Sequence, residues 1–231
     1  MKATLKAFTQ PTEEFLEEYA ANANATDLSS VLDLVAYCAR VSNPSNQMNK
    51  ETGEKLIRHL IKHKHWSPLE MADALIEIET TRDIARQLLR HKSMKFQEFS
   101  QRYADPTVLE NTFVVREARL QDPNNRQNSI PCDDLEINLW WDAQQKFVIE
   151  NVERIYKEAL EKGIAKEQAR AILPEGNTIS RLYAKADIRT WIHYVELRTA
   201  NGTQLEHMLL AKEIGKAISK IFPMMEDFIQ I

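Results

Sequence analysis

Ala74-Leu75-Ile76-Glu77-Ile78-Glu79-Thr80 alternates with a period of two, with Ala74, Ile76 and Ile78 on one side and Glu77 and Glu79 on the other. That pattern reads as a strand with one face on a core and the other in water. Thr81 and Arg82-Asp83 then begin a helix that carries Ile84, Leu88 and Leu89 toward Arg90. Upstream, Pro11-Thr12-Glu13-Glu14-Phe15 opens a first helix, with Thr12 as N-cap and two carboxylates in the first turn. A second helix is expected over residues 29–40, its apolar face built from Val31, Leu34, Val35 and Cys38. Pro44 and the Asn-rich run at 43–49 break it, and a third helix carries Leu56, Ile57, Leu60 and Ile61.

Downstream, residues 95–103 and 113–119 look extended, and the polar stretch 123–131 is expected to be disordered or lid-like. Asp133 or Asp134 caps a long helix reaching Lys162, with Gly163 as its C-cap. A short helix over 166–172 stops at Pro174, and 177–185 reads as a strand. Two more helices, 187–199 and 204–221, are separated by a turn at Asn201-Gly202. Helices and non-adjacent strands mix without βαβ regularity. The expected class is α+β: mixed helices and a small, mainly antiparallel sheet, one domain over residues 1–231, with a long central helix.

A length of 231 residues is enough to bury a substantial core. The formal charge of −4 argues against a generic nucleic-acid binder, which would have to neutralise many phosphates. Two cysteines make no disulfide framework, and the N-terminus lacks the apolar run of a signal peptide. No stretch approaches membrane-span length, so a soluble, cytoplasmic protein without a membrane partner is expected.

Against that acidic background stands a local cluster at residues 90–103: Arg90-His91-Lys92-Ser93-Met94-Lys95-Phe96-Gln97-Glu98-Phe99-Ser100-Gln101-Arg102-Tyr103. Arg90 and Arg102 present guanidinium forks that match phosphate oxygens in pairs. His91 and Lys92 add donors, Ser100 and Tyr103 can bond neutral oxygens, and Glu98 suits a ribose hydroxyl or a ring N–H. The chemistry fits a phosphorylated nucleotide, a dinucleotide cofactor, or both. With five Gly and no G-x-G-x-x-G, the chain disfavours a Rossmann mode for such a cofactor.

The run resembles the signature of flavin-dependent thymidylate synthases: Arg-His-Arg, seven intervening residues, Ser, one residue, Arg. Arg90, His91, Ser100 and Arg102 fall in register, while Lys92, Lys95 and Gln97 replace the usual Arg, Ser and Asn. Further segments match in order. Ala39-Arg40-Val41-Ser42 is similar to an Ala-Arg-x-Ser segment, and His65-Trp66-Ser67-Pro68-Leu69-Glu70 to a His-x-Ser/Thr-Pro-x-Glu segment. Ala169-Arg170-Ala171-Ile172-Leu173-Pro174 resembles Ala-Arg-x-x-Leu-Pro, and Leu197-Arg198 with Gln204 and Glu206 resembles Leu-Arg…Ala-Gln-x-Glu. Met71 and Gly202 stand where the family often has His. The resemblance covers about residues 36–223.

The resemblance implies an FAD-dependent methyltransferase that makes dTMP from dUMP. Methylenetetrahydrofolate would be the carbon donor and NADPH-reduced FAD the hydride source, in a homotetramer with active sites at subunit interfaces. It implies flavin contacts at Ser42, Ser67 and Glu70, then at Arg90, His91, Lys92, Gln97 and Glu98, and last at Asp187, Arg189, His193 and Leu197. The nucleotide dUMP would meet Gln87 and Arg90, which share a helix face, then Glu98, Phe99, Ser100, Gln101 and Arg102, with Arg170 on its phosphate. Arg198 would act on the base as the catalytic residue.

Plainer readings exist for each piece. A lone Arg170 or Arg198 is an ordinary surface cation, and Ser67-Pro68-x-Glu70 a helix start. His59, His63 and His65 invite a metal, but no His-Glu-x-x-His arrangement accompanies them and the run suits a solvated helix C-terminus, so no metal is expected. Cys132 follows Pro131, as does the nucleophile of the unrelated folate-dependent thymidylate synthases. Here Asp133 rather than His comes next, and no catalytic role is assigned to it. In a non-catalytic alternative, residues 90–103 would track a phosphate backbone while Phe96, Phe99 and Tyr103 stack bases.

Overall fold

The computed structural model describes every residue except 24–29, 50, 110, 201 and 231. In chain order the elements are β1 (Lys2–Phe8), α1 (Glu13–Ala23), α2 (Val31–Ala39), α3 (Gly53–Lys62), β2 (Asp73–Thr81), α4 (Arg82–Leu88) and β3 (Lys95–Glu98). They continue with β4 (Arg119–Gln121), β5 (Ser129–Pro131), α5 (Leu135–Glu161), α6 (Lys166–Ala169), β6 (Ile179–Asp187), α7 (Ile188–Thr199) and α8 (Leu205–Ser219). Four strands form one antiparallel sheet in the order β1-β2-β6-β3, and β4-β5 form a separate hairpin. The α+β class holds.

The alternation in β2 does what its period predicts. Ala74, Ile76 and Ile78 are buried, as are Leu182 and Ala184 on the paired strand β6. They form one core with Trp191, Ile192 and Val195 of α7 and Leu210, Ile214 and Ile218 of α8. Trp191 Nε1 donates to the Ala74 carbonyl at 3.2 Å, so even the largest buried ring is hydrogen-bonded. On the opposite face Glu77 pairs with Lys6 at 2.9 Å and accepts from Tyr183, while Arg181 pairs with Glu79 at 2.7 Å. Cross-strand charge and hydroxyl pairs keep that face wet and in register.

Three expectations need correction. The N-terminus forms an edge strand that the sequence reading did not identify. Ala3, Leu5 and Phe8 all pack on the core because the register shifts between Leu5 and Ala7, and that bulge erases the period-two signal. Residues 95–103 are extended only through Glu98. After it the chain turns, with Tyr103 and Ala104 N–H groups both donating to the Ser100 carbonyl. The stretch 123–131 is an ordered hairpin arm, since Asp122 and Asn125 side chains accept from Asn124, Asn125 and Gln127 N–H groups. Its polarity is turn chemistry rather than disorder. Of 113–119, Phe113 makes an isolated bridge to Thr178 and Arg119 begins β4.

Helix boundaries follow their caps. Thr12 Oγ1 accepts from Phe15 N, Ser30 from Asp33 N, and Asp134 from Glu136 and Ile137 N. The expected start of the second helix at residue 29 lies outside the described residues. Gly163 takes φ +81 just past α5, and Gly202 φ +90 in the α7–α8 turn. The long helix α5 packs through Tyr156, Val152, Ala159 and Leu160 against Ala169 and Leu173, a cluster apart from the main core. Buried Gln145 ties it inward by exchanging two hydrogen bonds with the Arg116 backbone.

Candidate functional site

The sharp passage from β6 into α7 sets up the site. Asp187 ends the strand and its carboxylate accepts from Thr190 N at 2.7 Å, so this expected flavin contact is the α7 N-cap. With Ile188, Trp191, Ile192 and Val195 buried, the helix leaves Arg189, His193 and Leu197 on its outer side at four-residue spacing. A 3-10 turn, Ser67–Met71, packs beside α7 and α2. Glu70 from that turn forms an ion pair with Arg189, and the Trp66 ring meets His193 edge-on at 4.6 Å. The expected flavin residues Ser67, Glu70, Arg189 and His193 therefore come together. Ser42 follows α2 and is exposed, while the neighbouring Arg40 is buried, donating to Thr52 Oγ1 at 2.8 Å and to the Asn49 carbonyl. The segment 39–42 thus has a structural anchor and an accessible hydroxyl.

The last turn of α7 meets the signature run. Arg198 Nε donates to His91 Nε2 at 3.1 Å, joining positions 107 apart in sequence. That bond needs a neutral imidazole with its proton on Nδ1. Burial, with the charges of Arg198 and Arg90, pushes the His91 imidazole down to about 4, which keeps it neutral. Among the described residues Arg198 has no carboxylate partner, and His91 occupies only its Nε. The two terminal nitrogens of this half-buried guanidinium make no hydrogen bond among the described residues. Arg90 and Lys92, which flank His91 in sequence, are exposed.

Behind His91 lies a polar network that the sequence reading largely missed. His91 packs edge-on to Tyr194 at 5.0 Å. Tyr194 Oη and His207 Nε2 are 3.1 Å apart, and His207 Nδ1 is 3.1 Å from Gln87 Oε1. Gln87 Nε2 donates to Gln204 at 2.7 Å, Gln204 to Glu206 at 2.8 Å, and Arg119 to Glu206 at 2.7 Å. Burial first, then the charge of Arg198, holds His207 down at about 3, and burial raises the Tyr194 hydroxyl. The legible signal was one His among the buried residues of α8, beside Leu210, Ala211 and Ile214. Arg119 lies in the hairpin and had no such signal.

The far end of the signature is elsewhere. Glu98 accepts from Ser180 Oγ at 2.9 Å and lies 3.6 Å from Arg82 and 3.8 Å from Arg86. Its oxygens are held by protein, and Gln97 faces the open side of the sheet opposite Tyr183. Phe99 N donates to the Arg181 carbonyl, continuing the ladder one bond past β3. Ser100 Oγ accepts from Arg102 N at 3.4 Å. Gln101 is only 3% exposed, and its Nε2 is unpaired among the described residues. Arg102 and Arg170 converge on Glu167: Arg102 Nε lies 3.7 Å from its carboxylate, and Arg170 Nε donates to its carbonyl at 3.3 Å. Both ion-pairing groups in the first contact are about half exposed, so the pairing is weak and a phosphate can compete for Arg102.

The His59 and His63 rings lie with centroids 4.3 Å apart, tilted by 40°, at the end of α3, and among the described residues no group of three potential metal ligands gathers. Cys132 is half-buried at the start of α5, its thiol 3.8 Å from the Asp134 carbonyl. No helix among the described residues is long and apolar enough to cross a membrane.

Comparison with known proteins agrees with the segment pattern. A family model described as thymidylate synthase complementing protein matches residues 26–224. A probable flavin-dependent thymidylate synthase of Paramecium bursaria Chlorella virus 1 is 45% identical over 223 residues, covering 96% of each chain. The flavin-dependent thymidylate synthase of Synechocystis is 48% identical over 190 residues, 82% of this chain and 85% of that one. Among solved structures, the UMP/dUMP methylase PolB from Streptomyces cacaoi, bound with 5-Br dUMP, superposes with a TM-score of 0.77 at 23% identity. It covers 98% of this chain and 93% of that one, and the likeness is one of fold. With matching segments distributed from α2 to α8 and relatives aligned along nearly the whole chain, this protein belongs to the flavin-dependent thymidylate synthase family.

Proposed function

We propose that this protein is an enzyme that methylates dUMP to dTMP, with FAD as its cofactor and NADPH and methylenetetrahydrofolate as co-substrates. The observation that carries the reading is Arg198, a half-buried guanidinium oriented by His91 and left without a carboxylate partner among the described residues. The family names of the relatives support the flavin and the thymidylate product.

The residues fit a flavin. Arg189, His193 and Leu197 offer a half-open polar and apolar stripe, Ser67 and Glu70 border it, and exposed Arg90 and Lys92 add charge for a pyrophosphate. Lys92 supplies a point charge where a guanidinium would supply a fork. When bound, the flavin would supply the reducing chemistry, and the protein's own groups orient and polarise. Arg102, Ser100 and Arg170 would grip the substrate phosphate, so that remote binding energy aligns the base. Arg198 would donate to a pyrimidine carbonyl, a bond that strengthens as the ring gains negative charge. Neutral His91 keeps Arg198 aimed and adds no competing positive charge. Burial raises the Cys38 thiol above its ordinary value and the Cys132 thiol lies 3.8 Å from the Asp134 carbonyl, so the reading assigns neither a nucleophilic role.

The same reading places several copies together. Helix α5 exposes Leu139 at 62%, Trp140 at 58% and Phe147 at 64%, an apolar surface that a homotetramer would cover. The test of function is direct. Purified protein mixed with FAD should acquire flavin absorbance, dUMP should perturb that spectrum, and NADPH with methylenetetrahydrofolate should then yield dTMP. Absence of flavin absorbance after reconstitution with excess FAD would sink the reading, and binding of single-stranded nucleic acid instead would favour the non-catalytic alternative.

A further inference from the structure

We propose that His207 is a positioning residue that locks the side-chain amide of Gln87 in one orientation, through a hydrogen-bonded chain running from Tyr194 to the Glu206 carboxylate. The proposal rests on the reading of Gln87 as a contact for dUMP, and His207 itself, on α8, is assigned to no ligand above.

The direction of each bond follows from the charged end. Glu206 is an ionised acceptor whose Oε1 is taken by Arg119 Nη2 at 2.7 Å. Gln204 must therefore turn its amide nitrogen toward Glu206 Oε2, at 2.8 Å, and its oxygen toward Gln87. Gln87 in turn presents nitrogen to Gln204 at 2.7 Å and oxygen to His207 at 3.1 Å. An acceptor on that side obliges His207 Nδ1 to carry the proton. Nε2 is then the acceptor for the Tyr194 hydroxyl, 3.1 Å away. At each contact in the chain a donor meets an acceptor, and flipping any one amide would set like against like at two contacts.

His207 is fully buried and Tyr194 is 1% exposed, so neither can replace a lost partner with water. Burial and the nearby Arg198 charge keep His207 neutral, as the chain requires. An aliphatic residue there would fill the space and leave Gln87 Oε1 and Tyr194 Oη without their partner. Gln87 is half-buried and spends one N–H and one lone pair on the chain. The remaining N–H and lone pair are then offered to a ligand with fixed polarity, which a freely rotating amide would not do.

The test uses flavin-loaded enzyme and the flavin absorbance change on dUMP addition. His207→Leu should raise the dUMP dissociation constant about tenfold, equivalent to about 1.4 kcal/mol. His207→Asn, whose amide can donate where Nδ1 stood, should recover to within about threefold of wild type. Adding His207→Leu to Gln87→Ala should cost nothing further, because the residue acts through Gln87. An equal loss with and without Gln87, or a folded His207→Leu enzyme that binds dUMP as wild type does, would overturn the proposal. If His207→Leu fails to fold, nitrogen NMR of wild-type His207 decides instead: the neutral Nδ1–H tautomer is expected, and the Nε2–H tautomer or a charged ring refutes it. A flavin-loaded wild type that ignores dUMP would overturn the substrate reading instead, and the tautomer would still decide whether His207 holds Gln87.

Discussion

At the scale of single residues, the two arginines assigned to substrate differ in what surrounds them. Arg102 is exposed and loosely paired with Glu167, whereas Arg198 is half-buried and aimed by His91. A phosphate contact is made equally in the ground and transition states, while a contact to a ring carbonyl strengthens as charge develops. Arg102→Ala should therefore weaken dUMP binding by about 1.5–3 kcal/mol with kcat little changed. Arg198→Ala should lower kcat by about a hundredfold or more. Steady-state kinetics over a range of dUMP concentrations separates the two. Identical rises in KM alone would remove the ring-polarising role from Arg198. The residue types and register of Arg90, His91, Ser100, Arg102 and Arg198 were legible in the chain; that His91 is the group holding Arg198 was not, because its partner comes from a helix 107 positions away.

At the scale of elements, β2, β6, α7 and α8 make the frame. Their alternating or helical periods were readable, since each buries one face. The edge strand β1 was not, because its bulge breaks the period. The stretch 123–131, whose composition suggests a disordered or lid-like segment, contains the turn and the second strand of the β4–β5 hairpin, since Asn and Asp serve ordered turns as readily as mobile ones. Close packing of α8 against the C-terminal segment and α7 supplies a test of the frame. A Cβ built on Gly215 of α8 would lie 2.8 Å from Ile229 and 3.3 Å from Val195. Gly215→Val adds bulk and branching there and should destabilise the protein by about 1–3 kcal/mol, read as a lower urea midpoint with unchanged slope. Unaltered stability would mean that this crossing is looser than its distances indicate.

At the scale of the whole molecule, His193 and Leu197 of α7 and Ser67 and Glu70 of the turn, all proposed flavin residues, are open to solvent, as is the apolar flank of α5. A single copy thus leaves the proposed flavin stripe half-walled and large side chains uncovered, which accords with the proposed tetramer. Light scattering should give a mass near four chains. Trp140→Glu combined with Phe147→Glu should release smaller species and reduce the flavin retained on purification. A double variant that stays tetrameric with full flavin content would place the subunit contacts elsewhere.

The sequence by itself determined the elements whose faces are regular, the α+β class, the family resemblance and the set of cationic and hydroxyl groups available to an anionic ligand. Those properties depend on residue type and short spacing, which a linear chain displays directly. Only the tertiary structure decided how the signature divides. Its His91 end meets α7, its Glu98 is taken up by Ser180 with Arg82 and Arg86 nearby, and its Arg102 meets α6 through the Glu167 contact. It also decided that Asp187 spends its carboxylate capping a helix and that His207, Gln87, Gln204 and Glu206 form one directed chain. The reason is that a hydrogen bond's partner and polarity are set by which distant groups packing brings within about 3 Å, and no local pattern carries that information.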